Sequence, residues 1–346
     1  SGLLERIPAA DSFRLHLPPE PWPGIGAEIF SALHLTGNGD LWLGCGGNWL
    51  SKYDPEAAYF DYTSPETNGI WNVYGIYQQK PDRLWAGYFT REGRLIWWNP
   101  VTQEGLQVNP QIINQNHESV SDLKIRSIQP DRAGNIWIGT HRNGLYKFND
   151  IQNEFHWKEQ LDPKTKLRTL TEVAEDAQGN LWISTAEQGL FRWDRKSDQW
   201  QNFQQQTGRA NGMMDSNISG ISIDQAGRIW YGGEKGVGFY DPKTHRVRRI
   251  ANLPRSRDLS LFTDSKNNLW VTYQSGIEFL DRSSDTFRHY LRGPIKEVFE
   301  DSDGIFWIGT FEVRGFYRFD PRTEQFRWFD YSTGNTFLED QKGNLW

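Results

Sequence analysis

The sequence has a single cysteine, Cys45, among its 346 residues. One cysteine excludes an intrachain disulfide and a zinc site built from cysteine ligands. The chain has no run of 18 or more apolar residues and does not open with a basic stretch followed by an apolar one. We therefore expect any leader or membrane anchor of the protein to lie outside this chain.

Charge of one sign is not concentrated anywhere along the chain. The formal net charge is −6 at pH 7, from 38 Lys and Arg against 44 Asp and Glu, and no block of like charge occurs. A protein that binds nucleic acid would show a basic patch or stripe. The composition therefore predicts no nucleic-acid partner.

Short catalytic motifs are also missing: the chain has no HExxH, no GxSxG and no phosphate-binding P-loop. Its seven histidines are scattered, and we expect only His117 and His141 near a functional surface. With Arg142 or Tyr88 they could provide the acid and base of a polysaccharide lyase, but nothing fixes their spacing. The sequence predicts no catalytic residue, no metal site and no cofactor.

The chain is rich in aromatic residues, which make up 14% of it and include 17 Trp. A Trp that follows a Gly, Asp or Asn turn recurs along the chain at intervals of 37 to 52 residues. Repeats of about 40–45 residues are typical of propeller blades, each made of four short strands. The recurring residues are Trp42, Trp85, Trp137, Trp182, Trp230, Trp270, Trp307 and Trp346.

Hydrophobic periodicity within one repeat indicates strands. Residues 126–157 contain "IRSIQPD", "NIWIGT", "GLYKFN" and "EFHWK", four short runs that alternate or end at Asp, Gly or Asn. Between the first two runs, "DRAGN" predicts a hairpin turn in which Gly134 adopts positive φ. We expect each recurring Trp on a second strand, where its ring fills the space between neighbouring sheets.

The two ends of the chain complement each other. "SGLLERIPAADSF" matches the back half of a repeat and "NTFLEDQKGNLW" the front half. Joining them gives one composite blade and removes exposed sheet edges. The sequence thus predicts an all-β fold, a single β-propeller domain over residues 1–346 with eight four-stranded blades, or alternatively seven. Because the chain stops inside a repeat, we expect a longer parent protein.

The repeats resemble the two-component regulator propeller family. The resemblance rests on the pattern I-x-x-D-x-x-G-N-L-W-I-G-T-x-x-x-G-L-x-x-F-D, nearly complete at 128–149, 174–194 and 298–320 and looser at 32–54, 221–241 and 261–281. It implies an extracytoplasmic or periplasmic sensor of a bacterial receptor whose membrane span and histidine kinase lie outside this chain. It also implies carbohydrate-derived ligands and a homodimeric full receptor.

Loops carry function more often than sheets do, and the loops between second and third strands vary strongly here. These loops and the loops between blades hold aromatic, amide and charged side chains that suit a sugar. The guanidinium groups of the Arg residues can bind a uronate or a sulfate through two hydrogen bonds. Taken one at a time, each of these residues is more simply explained as an ordinary solvated loop residue. Taken together, they favour a ligand-binding face. The candidates are Trp49, Trp71, Tyr88, Arg91, His141, Arg142, Glu187, Gln188, Glu234, Lys235, Tyr273, Phe311, Glu312 and Arg314.

Two hypotheses about function follow. The first is a non-catalytic sensor domain that binds a small molecule or an oligosaccharide. The second is a carbohydrate-active propeller enzyme, with a protein-interaction scaffold as a further alternative. The family pattern and the missing catalytic motifs favour the first.

Overall fold

The computed structural model describes the chain in segments separated by gaps. They are residues 3–7, 12–16, 30–37, 39–45, 50–54, 57, 59–63, 73–80, 82–88, 94–99, 102, 104–108, 125–140, 145–149, 154–157, 169–204, 212–250, 259–282, 284, 286–310, 315–331 and 336–346. These residues form thirty strands. They contain no helix long and apolar enough to cross a membrane.

The chain divides into two compact units. The first contains Ser1–Gln111 and Lys296–Trp346, and the second contains Ile112–Ile295. In both units each four-stranded sheet is built from four strands consecutive in the sequence, and the paired strands are antiparallel neighbours. This is the meander of a propeller blade, and we name each sheet by its first and last strand.

The first unit holds sheets β3–β6, β7–β10 and β27–β30 and the two-stranded sheet β1–β2. Strand β27 begins at the boundary between the units. The strands are β1 Leu3–Ile7, β2 Ser12–His16, β3 Phe30–Leu35, β4 Leu41–Cys45, β5 Leu50–Asp54, β6 Tyr59–Thr63, β7 Val73–Lys80, β8 Arg83–Tyr88, β9 Arg94–Asn99, β10 Glu104–Val108, β27 Ile295–Glu300, β28 Phe306–Thr310, β29 Phe316–Asp320 and β30 Gln325–Phe329.

The second unit holds sheets β11–β14, β15–β18, β19–β22 and β23–β26. Its strands are β11 Ile125–Pro130, β12 Ile136–Thr140, β13 Leu145–Asn149, β14 Glu154–Trp157, β15 Leu170–Glu175, β16 Leu181–Thr185, β17 Leu190–Asp194, β18 Gln199–Phe203, β19 Ile218–Ile223, β20 Ile229–Gly233, β21 Gly236–Asp241, β22 Arg246–Ile250, β23 Ser260–Thr263, β24 Leu269–Tyr273, β25 Gly276–Asp281 and β26 Thr286–Arg292.

The recurring Trp residues are structural, as predicted. Seven of them lie on the second strand of a four-stranded sheet, and all eight are at most 5% exposed. Trp182 of β16 packs against Ile221 and Tyr231 of the following sheet, and Trp230 of β20 packs against Val271 of the sheet after that. An indole ring buries about 150–250 Å², so these rings hold consecutive sheets together without long aliphatic runs.

The predicted hairpin turns precede the second strands, and each is organised by its first residue. Asp176 Oδ1 accepts backbone N–H groups from Gln178 and Asn180 at 3.0 and 2.9 Å. Its Oδ2 accepts the indole N–H of Trp182 at 2.9 Å and the side-chain amide of Asn180 at 2.9 Å. Gly179 has a φ of +86°, a conformation that glycine adopts without strain.

The same Asp-to-Trp bond recurs in five other turns, with donor–acceptor distances between 2.8 and 3.0 Å. The predicted positive φ of Gly134 is confirmed at +79°. In the turn that begins at Asp264, Asn267 takes the glycine position with a φ of +65°, because Asn tolerates this region better than other residues. The repeated sequence therefore encodes a turn and a ring anchor together.

Turn ends of adjacent sheets are also linked. Arg195, after β17, donates to Asp131 of the preceding sheet and, at 2.9 Å, to Glu175 of its own sheet. The other oxygen of Glu175 accepts the backbone N–H of Arg132 at 2.8 Å. Both carboxylates are thus satisfied by donors from two sheets.

The two chain ends lie together in the first unit, as the half-repeats predicted. Arg6 of β1 donates its backbone N–H to the carbonyl of Leu345 at 2.9 Å, and Leu338 and Trp346 exchange backbone hydrogen bonds of 3.0 and 2.7 Å. Leu3 and Trp346 pack with sheet β3–β6, whereas Leu4 and Leu345 pack with sheet β27–β30.

The prediction of eight four-stranded blades is wrong as stated. The described residues form seven four-stranded sheets and, at the chain ends, the two-stranded sheet β1–β2. In the C-terminal segment, the turn that begins at Asp340 is closed by backbone hydrogen bonds and by one isolated bridge, Glu339 to Leu345, which does not extend into a four-stranded sheet.

Candidate functional site

The loop ends of the second unit's sheets bring two kinds of connection together. The loop between β16 and β17 reaches the segment before β19, since Gly189 donates its backbone N–H to Ser216 at 2.7 Å. After β20, Lys235 donates its backbone N–H to Asp215 of the same segment at 3.1 Å. In the next sheet, Gly293 after β26 donates to Ser275 between β24 and β25 at 3.1 Å. Loops within and between repeats therefore share one end of these sheets.

Asp215 is the anchor of this region. Its side chain is only 8% exposed, and it accepts the backbone N–H of Asn217 at 3.1 Å as well as that of Lys235. The Nζ of Lys235 lies 3.9 Å from the carboxylate and is half exposed. Asp215 therefore fixes the loop backbone and leaves the ammonium group at the surface.

A second carboxyl lies on a first strand near the same end. Glu172 of β15 accepts the backbone N–H of Ile221 from β19 at 2.9 Å, and its neighbour Thr171 donates to the carbonyl of Ile218 at 2.7 Å. Burial raises the pKa of Glu172 to about 7, against the lowering effect of the Ile221 N–H. This carboxyl is thus far more weakly ionised than a surface glutamate.

A third polar group lies where β24 ends. The hydroxyl of Tyr273 donates to Glu278 Oε1 at 2.6 Å, and Nδ1 of His289 lies 2.8 Å from the same oxygen. Glu278 is 7% exposed at its side chain and His289 is 37% exposed. Burial first, and then the bond to Glu278, raises the pKa of Tyr273 well above its usual value, so the phenol stays a donor.

The turn ends show the opposite electrostatic effect. Burial alone would raise the pKa of Asp131, but hydrogen bonds from Trp137, Asn135 and Arg195 outweigh it and hold that pKa below its usual value. The pKa of Asp224 is lowered in the same way by Trp230 and Arg228. These carboxylates are charged and structural.

Six of the predicted site residues fall among the described residues. Glu187 and Gln188 lie between β16 and β17, and Gln188 donates its backbone N–H to Thr185 Oγ1 at 3.0 Å. Glu234 and Lys235 follow β20, with Lys235 exposed. Tyr88 and Tyr273 are the last residues of β8 and β24, so both belong to strands and not to loops.

Within the second unit the structure thus places Glu187, Gln188, Glu234, Lys235 and Tyr273 at the loop ends of three successive sheets. Of these, Tyr273 is buried, at 3% exposure. The remaining candidates lie outside the described residues: Trp49, Trp71, Arg91, His141, Arg142, Phe311, Glu312 and Arg314.

Sequence reasoning missed Asp215, Glu278 and His289. Glu278 occupies a third-strand position that holds Tyr146, Phe191 or Gly238 in the other sheets of the second unit. A carboxyl at a position that otherwise holds an aromatic or a small residue indicates a buried polar site, because burying a charge is costly without partners. Aligning the repeats by strand register would have revealed it.

Solved structures define the fold class. PorZ, a surface component of the type-IX secretion system of Porphyromonas gingivalis, is 15% identical over 94% of this chain and 49% of that chain, with a TM-score of 0.58. Virginiamycin B lyase from Staphylococcus aureus is 14% identical over 80% of this chain and 90% of that chain, with a TM-score of 0.55. With the repeated four-stranded meander, these similarities establish an all-β fold of the β-propeller class.

The family comparison is more specific. Residues 119–142 match the two component regulator propeller family, which confirms the resemblance that the sequence predicted. The extracellular domain of a hybrid two component system from B. thetaiotaomicron is 16% identical over 98% of this chain, with a TM-score of 0.44. The chain spans 57% of that domain's length. No curated protein matches the chain.

Proposed function

We propose that this chain is a non-catalytic, ligand-binding sensor domain of a two-component receptor and acts outside the cytoplasm. The two component regulator propeller match at residues 119–142 is the observation that carries the proposal. Its ligand is a small molecule or an oligosaccharide, bound at the loop ends of the sheets. The membrane span and the kinase belong to other parts of a receptor that acts as a homodimer.

The contrast between the ends of the sheets supports a loop-end site. Six turns repeat one Asp-to-Trp arrangement. At the loop ends of the second unit, by contrast, each sheet presents different groups: Glu187 and Gln188, then Glu234 and Lys235, then Tyr273 with His289. Diversity confined to one end of a repeated scaffold is typical of recognition surfaces.

Calorimetry against a panel of neutral, carboxylated and sulfated oligosaccharides tests the proposal. We expect saturable binding of at least one member and no new product by chromatography. Replacing loop-end Lys235 with Ala should weaken this binding, whereas replacing turn-end Lys266, which is also exposed, should not. A panel without any binder would count against the sensor proposal.

A lyase is the second candidate. The solved virginiamycin B lyase has a similar fold, and the hydrogen-bonded Tyr273, Glu278 and His289 include groups able to transfer protons. Product formation that the His289→Gln variant abolishes would establish catalysis in place of sensing.

A further inference from the structure

Sheet β23–β26 departs from the other sheets of the second unit at neighbouring positions. Its second strand ends in Tyr273, where Thr140 and Thr185 end β12 and β16. Its third strand carries Glu278 at a position occupied by Phe191 in sheet β15–β18. These departures are in contact, because Glu278 Oε1 accepts from Tyr273 at 2.6 Å and lies 2.8 Å from His289. They therefore form one local feature.

A β-bulge in β26 brings a further cation to the same face. Gly276 pairs with Arg292 and Ile277 with Leu291, but Glu278 pairs with His289, so Tyr290 is the extra residue. In a regular strand, positions 289 and 292 would point to opposite faces. The bulge places both on the face that carries Gly276 and Glu278, and bulges commonly redirect side chains in this way.

Register places the phenol on this face too, since Tyr273 pairs with Gly276. Four functional side chains thus surround a glycine: Tyr273, Glu278, His289 and Arg292. A Cβ at Gly276 would lie 2.2 Å from the carbonyl oxygen of Leu291 and 2.9 Å from the His289 ring. The backbone and the imidazole therefore need the glycine.

Of the charged side chains on this face, Glu278 is buried and Arg292 is exposed. The Glu278 carboxylate is buried and accepts from both Tyr273 and His289, so it orients the imidazole through Nδ1, and Nε2 takes no part in this contact. Arg292 is exposed and close enough to Tyr273 to affect its pKa electrostatically. An anionic ligand would meet Arg292 as its main positive group, with the imidazole beside it.

We propose that Arg292 and His289 bind a carboxylate-bearing sugar, with Arg292 on the carboxylate and His289 Nε2 on a ring hydroxyl. This proposal rests on the proposed function and names the ligand class at one loop-end site. A guanidinium binds a carboxylate through two parallel hydrogen bonds. Glu278 is a positioning residue because it contacts the imidazole, and Tyr273 is one because it donates to Glu278.

The site is tested by titrating the protein with D-glucuronate or D-glucose and following the nuclear magnetic resonance signal of the His289 ring. That signal is assigned as the one missing from the His289→Gln variant. These sugars differ in a carboxylate against a hydroxymethyl group. We expect saturable shifts of the His289 signal with glucuronate and at least tenfold weaker binding of glucose. Arg292→Gln should weaken glucuronate binding at least tenfold, and Glu278→Gln several-fold.

Arg288→Gln is the matched control, because Arg288 pairs with Phe279 and so lies on the opposite face of the same strand. It should change glucuronate affinity less than twofold. Equal shifts from both sugars, no saturable shift, or full glucuronate binding by Arg292→Gln would overturn the site. If calorimetry shows glucuronate binding that neither His289→Gln nor Arg292→Gln weakens, this site is wrong while the sensor proposal stands.

Discussion

Two buried carboxyl groups of the second unit, Asp176 at a turn end and Glu172 near the loop end, differ in how their charge is stabilised. At a turn end, Asp176 accepts four hydrogen bonds, two from backbone N–H groups and two from Asn180 and Trp182 side chains. At a loop end, Glu172 accepts a single backbone N–H, from Ile221. The Asp176 carboxylate therefore has several hydrogen-bond donors to stabilise its charge, and Glu172 has one. The hydrogen bonds of Asp176 thus offset the burial of its charge, whereas burial of Glu172 disfavours its ionised form.

The largest effect on stability should come from the Trp182 ring, which the Asp176 turn anchors. Replacing Trp182 with Ala removes a fully buried side chain packed between two sheets, so we expect a loss of about 3–5 kcal/mol of unfolding free energy. Denaturant titration measures it, with exposed Glu187→Ala as a loop-end control that should change stability by less than about 0.5 kcal/mol. A small loss in Trp182→Ala would mean that the ring does not join the sheets.

Removing the carboxylate itself should have the next effect. Asp176→Ala leaves the indole N–H, the Asn180 amide and two backbone N–H groups without their acceptor. Buried donors without partners cost about 1–3 kcal/mol each in the least favourable case, and water recovers part of this, so we expect a loss of roughly 2–3 kcal/mol. Asp176→Asn, which keeps one acceptor oxygen, should lose less in the same titration.

Near the loop end, replacing the Glu172 carboxyl should stabilise the fold, and the gain should grow as the pH rises. The folded pKa of Glu172, about 7, lies above its usual value, so ionisation destabilises the fold as the pH rises from about 4.5 through 7. Glu172→Gln should therefore gain on the order of 2 kcal/mol at pH 8 relative to the unchanged protein, and little or nothing at pH 4. Parallel stability curves for the two proteins across this range would contradict the prediction.

Local sequence predicted the turn ends almost completely. The Asp, the positive-φ glycine and the Trp lie within seven consecutive residues, so their spacing alone specifies both the turn and the buried ring. The Tyr273–Glu278–His289 group was missed because its contacts depend on strand register, and the bulge at Tyr290 changes which residues share a face. A period-two pattern carries no signal for such a shift. Tyr273 was taken for a loop residue because the pattern does not mark where β24 ends.

One turn of the first unit provides the smallest and most discriminating test. Thr36 replaces the Asp there, and its Oγ1 accepts the backbone N–H of Asp40 at 2.9 Å. Among the described residues, Trp42 Nε1 is buried with no hydrogen-bond partner, since threonine lacks the second oxygen that accepts the indole in the six turns that begin with Asp. A Thr36→Asp and Asp40→Asn double variant restores the Asp-x-x-Gly-Asn turn.

We expect this double variant to be about 1 kcal/mol more stable than Asp40→Asn alone, because one buried donor gains an acceptor. Asp40→Asn is the reference because Asp40 pairs with Lys52 at 2.8 Å, and that ion pair is lost in both proteins. Adding Trp42→Phe to each should remove the part of the difference that the indole contributes, since phenylalanine has no N–H to donate. A gain that stays undiminished with phenylalanine would show that the carboxylate introduced by Thr36→Asp acts within the turn alone. The indole bond would then not be what joins the turn to the ring.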